Sequence, residues 1–123
     1  DDGADHLIGG PGSDWMSGGA GYDSFVYESV ADFGDHIVNW DWTTDRLELT
    51  AANLSGSFVA GQTLTDGYNL INGAPPSSAT STIYLMNGGV FYDSDGTGAN
   101  PGVKIAALES YTGLLFNWNV SLI

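Results

Sequence analysis

Three carboxylate side chains recur at a fixed spacing near the N-terminus, where they could bind a cation. Asp5, Asp14 and Asp23 are nine residues apart, and each ends a stretch of the form Gly-Gly-x-Gly-x-Asp, which is complete in the second and third copies. Glycine adopts positive φ angles without steric cost, so these stretches are predicted to be tight turns. The sequence therefore places a carboxylate at the end of three successive turns.

A short strand is predicted to follow each turn. An apolar side chain stands two positions after each Asp, and neighbouring side chains of a strand point to opposite faces. The predicted inward residues are Leu7, Met16 and Phe25, and the predicted outward residues are His6, Trp15 and Ser24. Nine residues then make half a coil and eighteen make a full coil. Stacked coils would bury the apolar side chains and pair the strands in parallel.

Stacking would also bring the carboxylates together. Asp5 and Asp23 fall on one edge of the coil, and Asp14 falls on the opposite edge, where its partner is expected near Asp32. Such carboxylates repel one another, whereas Ca²⁺ binds six to eight oxygens at about 2.3–2.6 Å, which carboxylates and turn carbonyls supply. Mg²⁺ requires a stricter octahedron, and Zn²⁺ prefers nitrogen or sulfur ligands. The pattern therefore favours calcium.

The chain is strongly acidic and contains no cysteine. Its 123 residues include 15 acidic and two basic side chains, a formal net charge of −13, and residues 1–50 hold 11 of the acidic ones. Nucleic acids and anionic membrane surfaces are excluded as partners because both need a basic patch. No stretch approaches the roughly 20 apolar residues of a membrane helix. A small domain without disulfides is expected to use a metal in their place.

The sequence contains no catalytic motif. Gly-x-Ser-x-Gly, His-Glu-x-x-His and a phosphate-binding loop are all absent, and calcium explains the carboxylate pairs better than glycoside hydrolysis does. His6 and His36 each follow an Asp, but they occupy outward strand positions of separate segments and are predicted surface residues. The chain is therefore predicted not to be an enzyme. It begins inside a repeat unit and is expected to be part of a longer protein.

The repeat resembles the RTX family, whose nonapeptide repeats form a calcium-binding β-roll. The resemblance implies an all-β fold: a short right-handed parallel β-roll of about three half-coils, capped by an antiparallel, sandwich-like hairpin region. It implies repeats at residues 1–34 and a capping and secretion-signal region at residues 35–123, within one continuous domain. Roughly two to four calcium ions are expected. The predicted ligand-bearing residues are Gly3, Asp5, Gly9, Gly10, Gly12, Asp14, Gly18, Gly19, Gly21, Asp23, Asp32 and Asp35.

Two further segments resemble sequences that follow the last coil of RTX proteins. They are "DHIVNW" at residues 35–40 and "DRLEL" at residues 45–49. By this resemblance Asp35 is a ligand of the last calcium, with Asp32 as the competing residue. The predicted core residues are Ile37, Trp40, Leu47 and Leu49, and the predicted turn or capping residues are Asp41 and Asp45.

The rest of the chain is predicted to form strands and loops. Residues 50–55 are predicted to form one helical turn with Thr50 as its N-cap, and residues 56–81 a loop-rich segment. Asn87-Gly88 between two apolar runs predicts a hairpin, and more strand is predicted in "VKIAALESY" and "GLLFNWNVSLI". Asp93-Ser94-Asp95-Gly96 lacks the bidentate Glu of an EF-hand, so an Asx turn is the better interpretation, with an extra calcium site as the alternative.

The C-terminal region resembles the end of type I secreted bacterial proteases and lipases. The similar segments are "FYDSDGTGANPGVKIAAL" and the apolar residues 119–123. The resemblance implies an extracellular module, monomeric as a fragment, that passes the type I secretion machinery unfolded and folds on calcium outside the cell. The alternative is a carbohydrate- or surface-binding module that uses Trp15, with Phe33 one coil further on. Trp40 and Trp118 are predicted core residues.

Overall fold

The computed structural model describes residues 2–76 and 78–123, which form ten short strands. The strands are β1 (His6–Leu7), β2 (Trp15–Ser17), β3 (Ser24–Tyr27), β4 (Asp35–Val38), β5 (Arg46–Leu49), β6 (Leu70–Asn72), β7 (Thr82–Met86), β8 (Gly89–Asp93), β9 (Val103–Leu108) and β10 (Val120–Leu122). Helical structure in these ranges is limited to 3-10 turns at Val30–Asp32, Ala51–Asn53 and Asn117–Asn119. No helix in the described ranges is long and apolar enough to cross a membrane. The prediction of an all-β chain is confirmed.

The first five strands alternate between two sheets. Strands β1, β3 and β5 belong to a four-stranded sheet of order β1-β3-β5-β10. Strands β2 and β4 belong to a six-stranded sheet of order β2-β4-β9-β8-β7-β6. The pairs β1–β3, β2–β4 and β3–β5 are all parallel, as the repeat predicts. The segments between these strands, two of which are the complete glycine-rich turns, therefore carry the chain from one sheet to the other.

The eighteen-residue period holds for the first coil and then lengthens. His6 pairs with Ser24, which is the predicted spacing. Trp15 pairs with His36 and Ser24 pairs with Arg46, at separations of 21 and 22 residues, as for the Asp residues just before them. Most of the added length lies between β3 and β4, where the chain makes a 3-10 turn. The glycine-rich unit therefore sets the strand register only within the repeat itself.

The C-terminal half extends both sheets. Strands β7 and β8 form the predicted antiparallel hairpin, and Asn87 and Gly88 at its turn have φ angles of 53° and 77°, which matches a type I′ turn. Strand β9 is antiparallel to β8 but parallel to β4, and β10 is parallel to β5. The expectation of an antiparallel cap is therefore only partly right, because both sheets are continued by parallel pairs.

A cluster of buried apolar side chains includes residues from both sheets. The predicted inward side chains belong to it, with Phe25 fully buried and Leu7 half-buried against it. The four residues predicted for the core after the repeat are also buried: Ile37, Trp40, Leu47 and Leu49. Thr50 precedes the 3-10 turn Ala51–Asn53, as expected, but its side chain makes no capping hydrogen bond.

Two sequence-based predictions about individual side chains are wrong. Ser24 does lie on the outward face, in register with the exposed residues His6 and Arg46, but it is buried because β3 lies between β1 and β5. Trp118 is 53% exposed, because residues 117–119 form a 3-10 turn instead of a strand and Asn119 takes the buried position. Phe33 does not extend the exposed surface of Trp15, since its ring packs edge-on against Tyr27 at 5.9 Å.

Candidate metal centre

Three carboxylates line one edge of the coil and form what we call the Asp5 column, made of Asp5, Asp23 and Asp45. The backbone N–H of Asp5 donates to Asp23 Oδ1 at 3.1 Å, as expected for residues eighteen apart. The N–H of Asp23 in turn donates to Asp45 Oδ1 at 3.4 Å. From the sequence we predicted only a turn or capping role for Asp45. Its Oδ2 does accept the N–H of Asp41, so Asp45 both caps that turn and ends the column.

The opposite edge holds two carboxylates, which we call the Asp14 pair, made of Asp14 and Asp35. The N–H of Asp14 donates to Asp35 Oδ1 at 2.9 Å. Asp32, the competing residue, instead accepts the N–H groups of Glu28 and Ser29 at 2.9 and 3.1 Å and caps its own 3-10 turn. Asp35 therefore takes the position next to Asp14, and the register prediction that placed Asp32 there is wrong.

Several turn glycines lie where a side chain would collide with these carboxylates. A Cβ atom on Gly18 would lie 2.1 Å from Asp23 Oδ2. A Cβ on Gly9 would lie 3.0 Å from the Oδ2 atoms of both Asp14 and Asp35. Gly9 and Gly18 thus let the backbone pass in close contact with the oxygens of these carboxylates.

The other predicted glycines shape the turns. Positive φ angles are found at Gly3, Gly10, Gly12, Gly19 and Gly21. Gly21 is also a site of close backbone approach, because a Cβ there would lie 2.0 Å from the carbonyl oxygen of Gly3 in the neighbouring coil. Gly10 and Gly12 have open space around them, so their requirement is conformational alone.

Three of these carboxylates keep one oxygen without a hydrogen-bond donor. Asp14 Oδ2, Asp23 Oδ2 and Asp35 Oδ2 are buried and accept no hydrogen bond, while the whole side chains of Asp23 and Asp35 are 0% and 1% exposed. Burial raises the pKa of Asp35 and the charges of Asp14 and Asp32 raise it further, while the Asp14 N–H and the nearby Tyr27 hydroxyl lower it. A buried charged carboxylate without a partner is costly, and either a proton or a cation would relieve that cost.

The oxygen donors fit a hard divalent cation. The carboxylate oxygens lie beside the glycine backbone at Gly9 and Gly18, and Ca²⁺ takes both carboxylate and carbonyl oxygens. Within residues 2–76 and 78–123, no group of three or more His, Cys, Asp or Glu side chains has the geometry to hold a metal by itself. A cation here would therefore depend on backbone carbonyls as much as on side chains.

The two histidines do not join this site. His6 is exposed, with Nδ1 3.9 Å from Glu48 Oε2. His36 Nδ1 lies 2.5 Å from Glu109 Oε1, and its ring stacks on Trp15 at 4.2 Å and 5°. The predicted surface location of His6 is confirmed, while His36 is half-buried. The aromatic partner of Trp15 is thus His36 rather than Phe33, and the glycan-binding alternative at Trp15 stays a prediction.

The acidic loop after β8 forms the predicted Asx turn, in which Asp95 N–H donates to Asp93 Oδ1 at 3.2 Å. Asp95 Oδ2 accepts the backbone and side-chain N–H groups of Asn100, both at 3.1 Å, and its Oδ1 is buried without a partner. The extra calcium site stays a prediction.

Comparisons of the whole chain with protein-family models, with curated proteins and with solved structures found no match.

Proposed function

We propose that this chain is a calcium-binding module whose folding is coupled to the cation. One observation carries the proposal: Asp14, Asp23 and Asp35 each keep a buried Oδ2 atom without a hydrogen-bond donor. Moving a charged carboxylate from water into the protein interior costs on the order of several kcal/mol unless a counter-charge or hydrogen bonds replace the water. Because the chain has only two basic side chains, the counter-charge is best supplied by an ion from solution.

The arrangement of the strands supports a β-roll for residues 1–34 and the start of the following region. Parallel strands that alternate between two sheets, separated by glycine-rich turns, are what stacked nine-residue half-coils would produce. In this proposal the strands supply the apolar contacts and the turns supply oxygen ligands. The right-handed sense of the coil stays a prediction.

Two ions would each be held by particular carboxylates. Asp14 and Asp35, beside Gly9, would hold one ion on their edge, and Asp23, beside Gly18, would hold one on the other. Bound Ca²⁺ would supply positive charge and oxygen coordination at these places. The chain itself contributes burial, which excludes water, and N–H donors that fix the second oxygen of two of these carboxylates: Asp5 N–H for Asp23 Oδ1 and Asp14 N–H for Asp35 Oδ1.

Calcium dependence fits a role in secretion. At low calcium the buried carboxylates oppose stacking of the coils, so the repeats would stay unfolded, as passage through an export channel requires. At the higher calcium outside the cell, binding free energy becomes folding free energy. We therefore propose a C-terminal folding and type I secretion module of a larger extracellular bacterial protein, with no catalytic activity of its own.

The test is a calcium titration of the chelated chain by isothermal calorimetry, with circular dichroism at each point. We expect uptake of several ions together with a gain of β-structure. Asp23→Asn and Asp14→Asn should each weaken or remove a binding step, while Asp66→Asn, an exposed loop residue, changes the net charge equally and should not. Full β-structure with an unchanged melting temperature in chelator would refute the proposal.

A further inference from the structure

A cavity of about 610 Å³ lies far along the chain from the repeat turns. Its walls come from three places: the end of β6, the β7–β8 turn and the end of β9 with the loop at residues 110–114. The residues that line it include Asn87, Lys104, Glu109, Tyr111 and Thr112. Its volume lies within the range of about 300–1,000 Å³ that is typical of small-molecule sites.

The cavity contains one of the two basic residues of the chain. Lys104 has its Nζ atom 5.7 Å from the centre of the Phe91 ring. Among the residues that the structure describes, no carboxylate lies within ion-pair distance of Lys104. In a chain with 15 acidic side chains, an ammonium group without such a partner keeps its hydrogen-bond donors free for a ligand.

An acceptor lines the same cavity. Glu109 contacts His36 through Oε1, and its side chain is 35% exposed. Hydroxyl groups of Ser110 and Thr112 and the amide of Asn87 add donors and acceptors around the walls. The cavity thus combines one positive group, one carboxylate and several neutral polar groups.

The loop that closes the cavity is fixed at both ends. Tyr111 N–H donates to the Leu108 carbonyl at 3.2 Å, and its hydroxyl donates to the Leu114 carbonyl at 2.5 Å. Asn72 then holds the loop from β6, because its side chain exchanges two hydrogen bonds with the backbone of Leu115, at 2.8 and 2.7 Å. A site held in this way loses little conformational freedom on binding, which favours affinity.

We infer that this cavity binds a neutral saccharide, a function separate from the proposed calcium sites. An anionic ligand would be repelled by Glu109 and by the net charge of −13 on the chain. A cationic ligand would be repelled by Lys104 inside the cavity. A polyhydroxylated ring uses both groups, since each hydroxyl donates to a carboxylate and accepts from an ammonium. The Tyr111 ring adds an apolar surface of the kind that packs against the C–H face of a sugar.

The experiment uses the whole chain in excess calcium, so that the folded state is held constant. Neutral glucose trisaccharides with α-1,4 and β-1,4 linkages, a glucuronic acid trisaccharide and a glucosamine trisaccharide are titrated at up to millimolar concentrations. Binding is followed by calorimetry and by amide chemical shifts. We expect a neutral trisaccharide to bind and to shift the amides of Gly88 and of residues 109–113.

Two variants and a matched control locate the site. Lys104→Met should weaken binding about tenfold or more, as expected for a lost hydrogen bond to a charged group, and Thr112→Ala should weaken it less. Arg46→Met removes the other basic side chain, which is outside the cavity, and should leave binding unchanged. Circular dichroism and melting in calcium must match the parent for each variant, and Thr112→Ala serves if Lys104→Met does not fold.

Three results would overturn the inference. They are binding of only a charged trisaccharide, equal effects of Lys104→Met and Arg46→Met, and no binding of any of the sugars by the folded parent. None of them bears on the calcium titration, which has its own readout in chelator. A failure of the calcium proposal would equally leave this cavity and its test in place.

Discussion

Gly18→Ala adds one methyl group where the structure has no room for it. The new Cβ would lie 2.1 Å from Asp23 Oδ2, 2.4 Å from its Cγ and 2.6 Å from its Cβ. Gly18 does not have a positive φ angle, so the backbone conformation itself accepts alanine. The destabilising part of the effect therefore comes from displacement of the Asp23 carboxylate.

The expected loss of stability follows from two terms. Moving Asp23 breaks the bond that its Oδ1 accepts from the N–H of Asp5, which costs about 1–3 kcal/mol for a buried group left unsatisfied. Forcing an extra methyl into a packed site costs about 1–3 kcal/mol more. Replacing glycine stiffens the unfolded chain and returns about 0.4–1 kcal/mol. The net expectation is a decrease of about 1–6 kcal/mol in the free energy of unfolding, with a middle value of about 3 kcal/mol.

Gly10→Ala is the matched control. Gly10 belongs to the same repeat and has a φ angle of +82°, but nothing lies within 4 Å of its added Cβ. It therefore tests the backbone term alone, about 1–2 kcal/mol. Both variants and the parent are unfolded by urea, followed by circular dichroism, once in saturating calcium and once at the lowest calcium concentration at which all three are folded.

The two conditions separate packing from cation binding. If Asp23 helps to hold an ion, Gly18→Ala loses both packing and the stability that calcium adds. The difference in unfolding free energy between Gly18→Ala and Gly10→Ala is then larger at saturating calcium than at low calcium. A Gly18→Ala variant as stable as Gly10→Ala in calcium would show that Asp23 is not confined as the structure places it. An equal deficit at both calcium concentrations would refute an ion at this turn.

Three further changes test other parts of the structure. Phe25→Ala removes a fully buried ring and should lower the free energy of unfolding by about 3–5 kcal/mol in a urea titration; a loss below 1 kcal/mol would contradict its core position. Asn119→Ala should cost at least about 2 kcal/mol, since its amide donates to the carbonyls of Trp42 and Asp45 at 2.9 and 2.8 Å; melting curves decide this. Burial raises the pKa of Asp93, so the folded chain binds that proton more readily than the unfolded chain. The parent should therefore gain stability relative to Asp93→Asn as the pH falls from neutral through this raised pKa, with the gain complete below about 3.9; a constant difference in unfolding free energy across this range would contradict it.

The spacing of the repeat predicted the contacts that depend on local sequence. Asp5 and Asp23 share an edge, and the apolar side chains after each turn enter the core, because glycine turns and a period of two along short strands are local properties. The hairpin at Asn87 was predictable for the same reason: its two positive φ angles suit Asn-Gly.

The contacts that the spacing of the repeat could not predict depend on loop length and on distant partners. Three extra residues before β4 place Asp35 rather than Asp32 beside Asp14; the spacing alone predicted Asp32, and only the resemblance of the segment at residues 35–40 favoured Asp35. Asn119 was missed because its partners, at Trp42 and Asp45, are more than 70 residues away. A buried amide of this kind has no periodic signature, since only the packed fold brings its partners together.

The Asp5 column shows where the dependence on cations should end. Asp23 keeps a buried oxygen without a partner, whereas Asp45, one coil further on, has both oxygens bonded, Oδ1 by Asp23 N–H and Thr44 hydroxyl and Oδ2 by Asp41 N–H. The glycine-rich unit has ended by this point, and turn residues with free N–H and O–H donors have replaced it. Protein donors thus do for Asp45 what an ion would do for Asp23. In the proposed calcium-bound fold, the acid-rich repeat is therefore the part that an ion would complete, and β5 follows a carboxylate whose two oxygens the chain satisfies by itself.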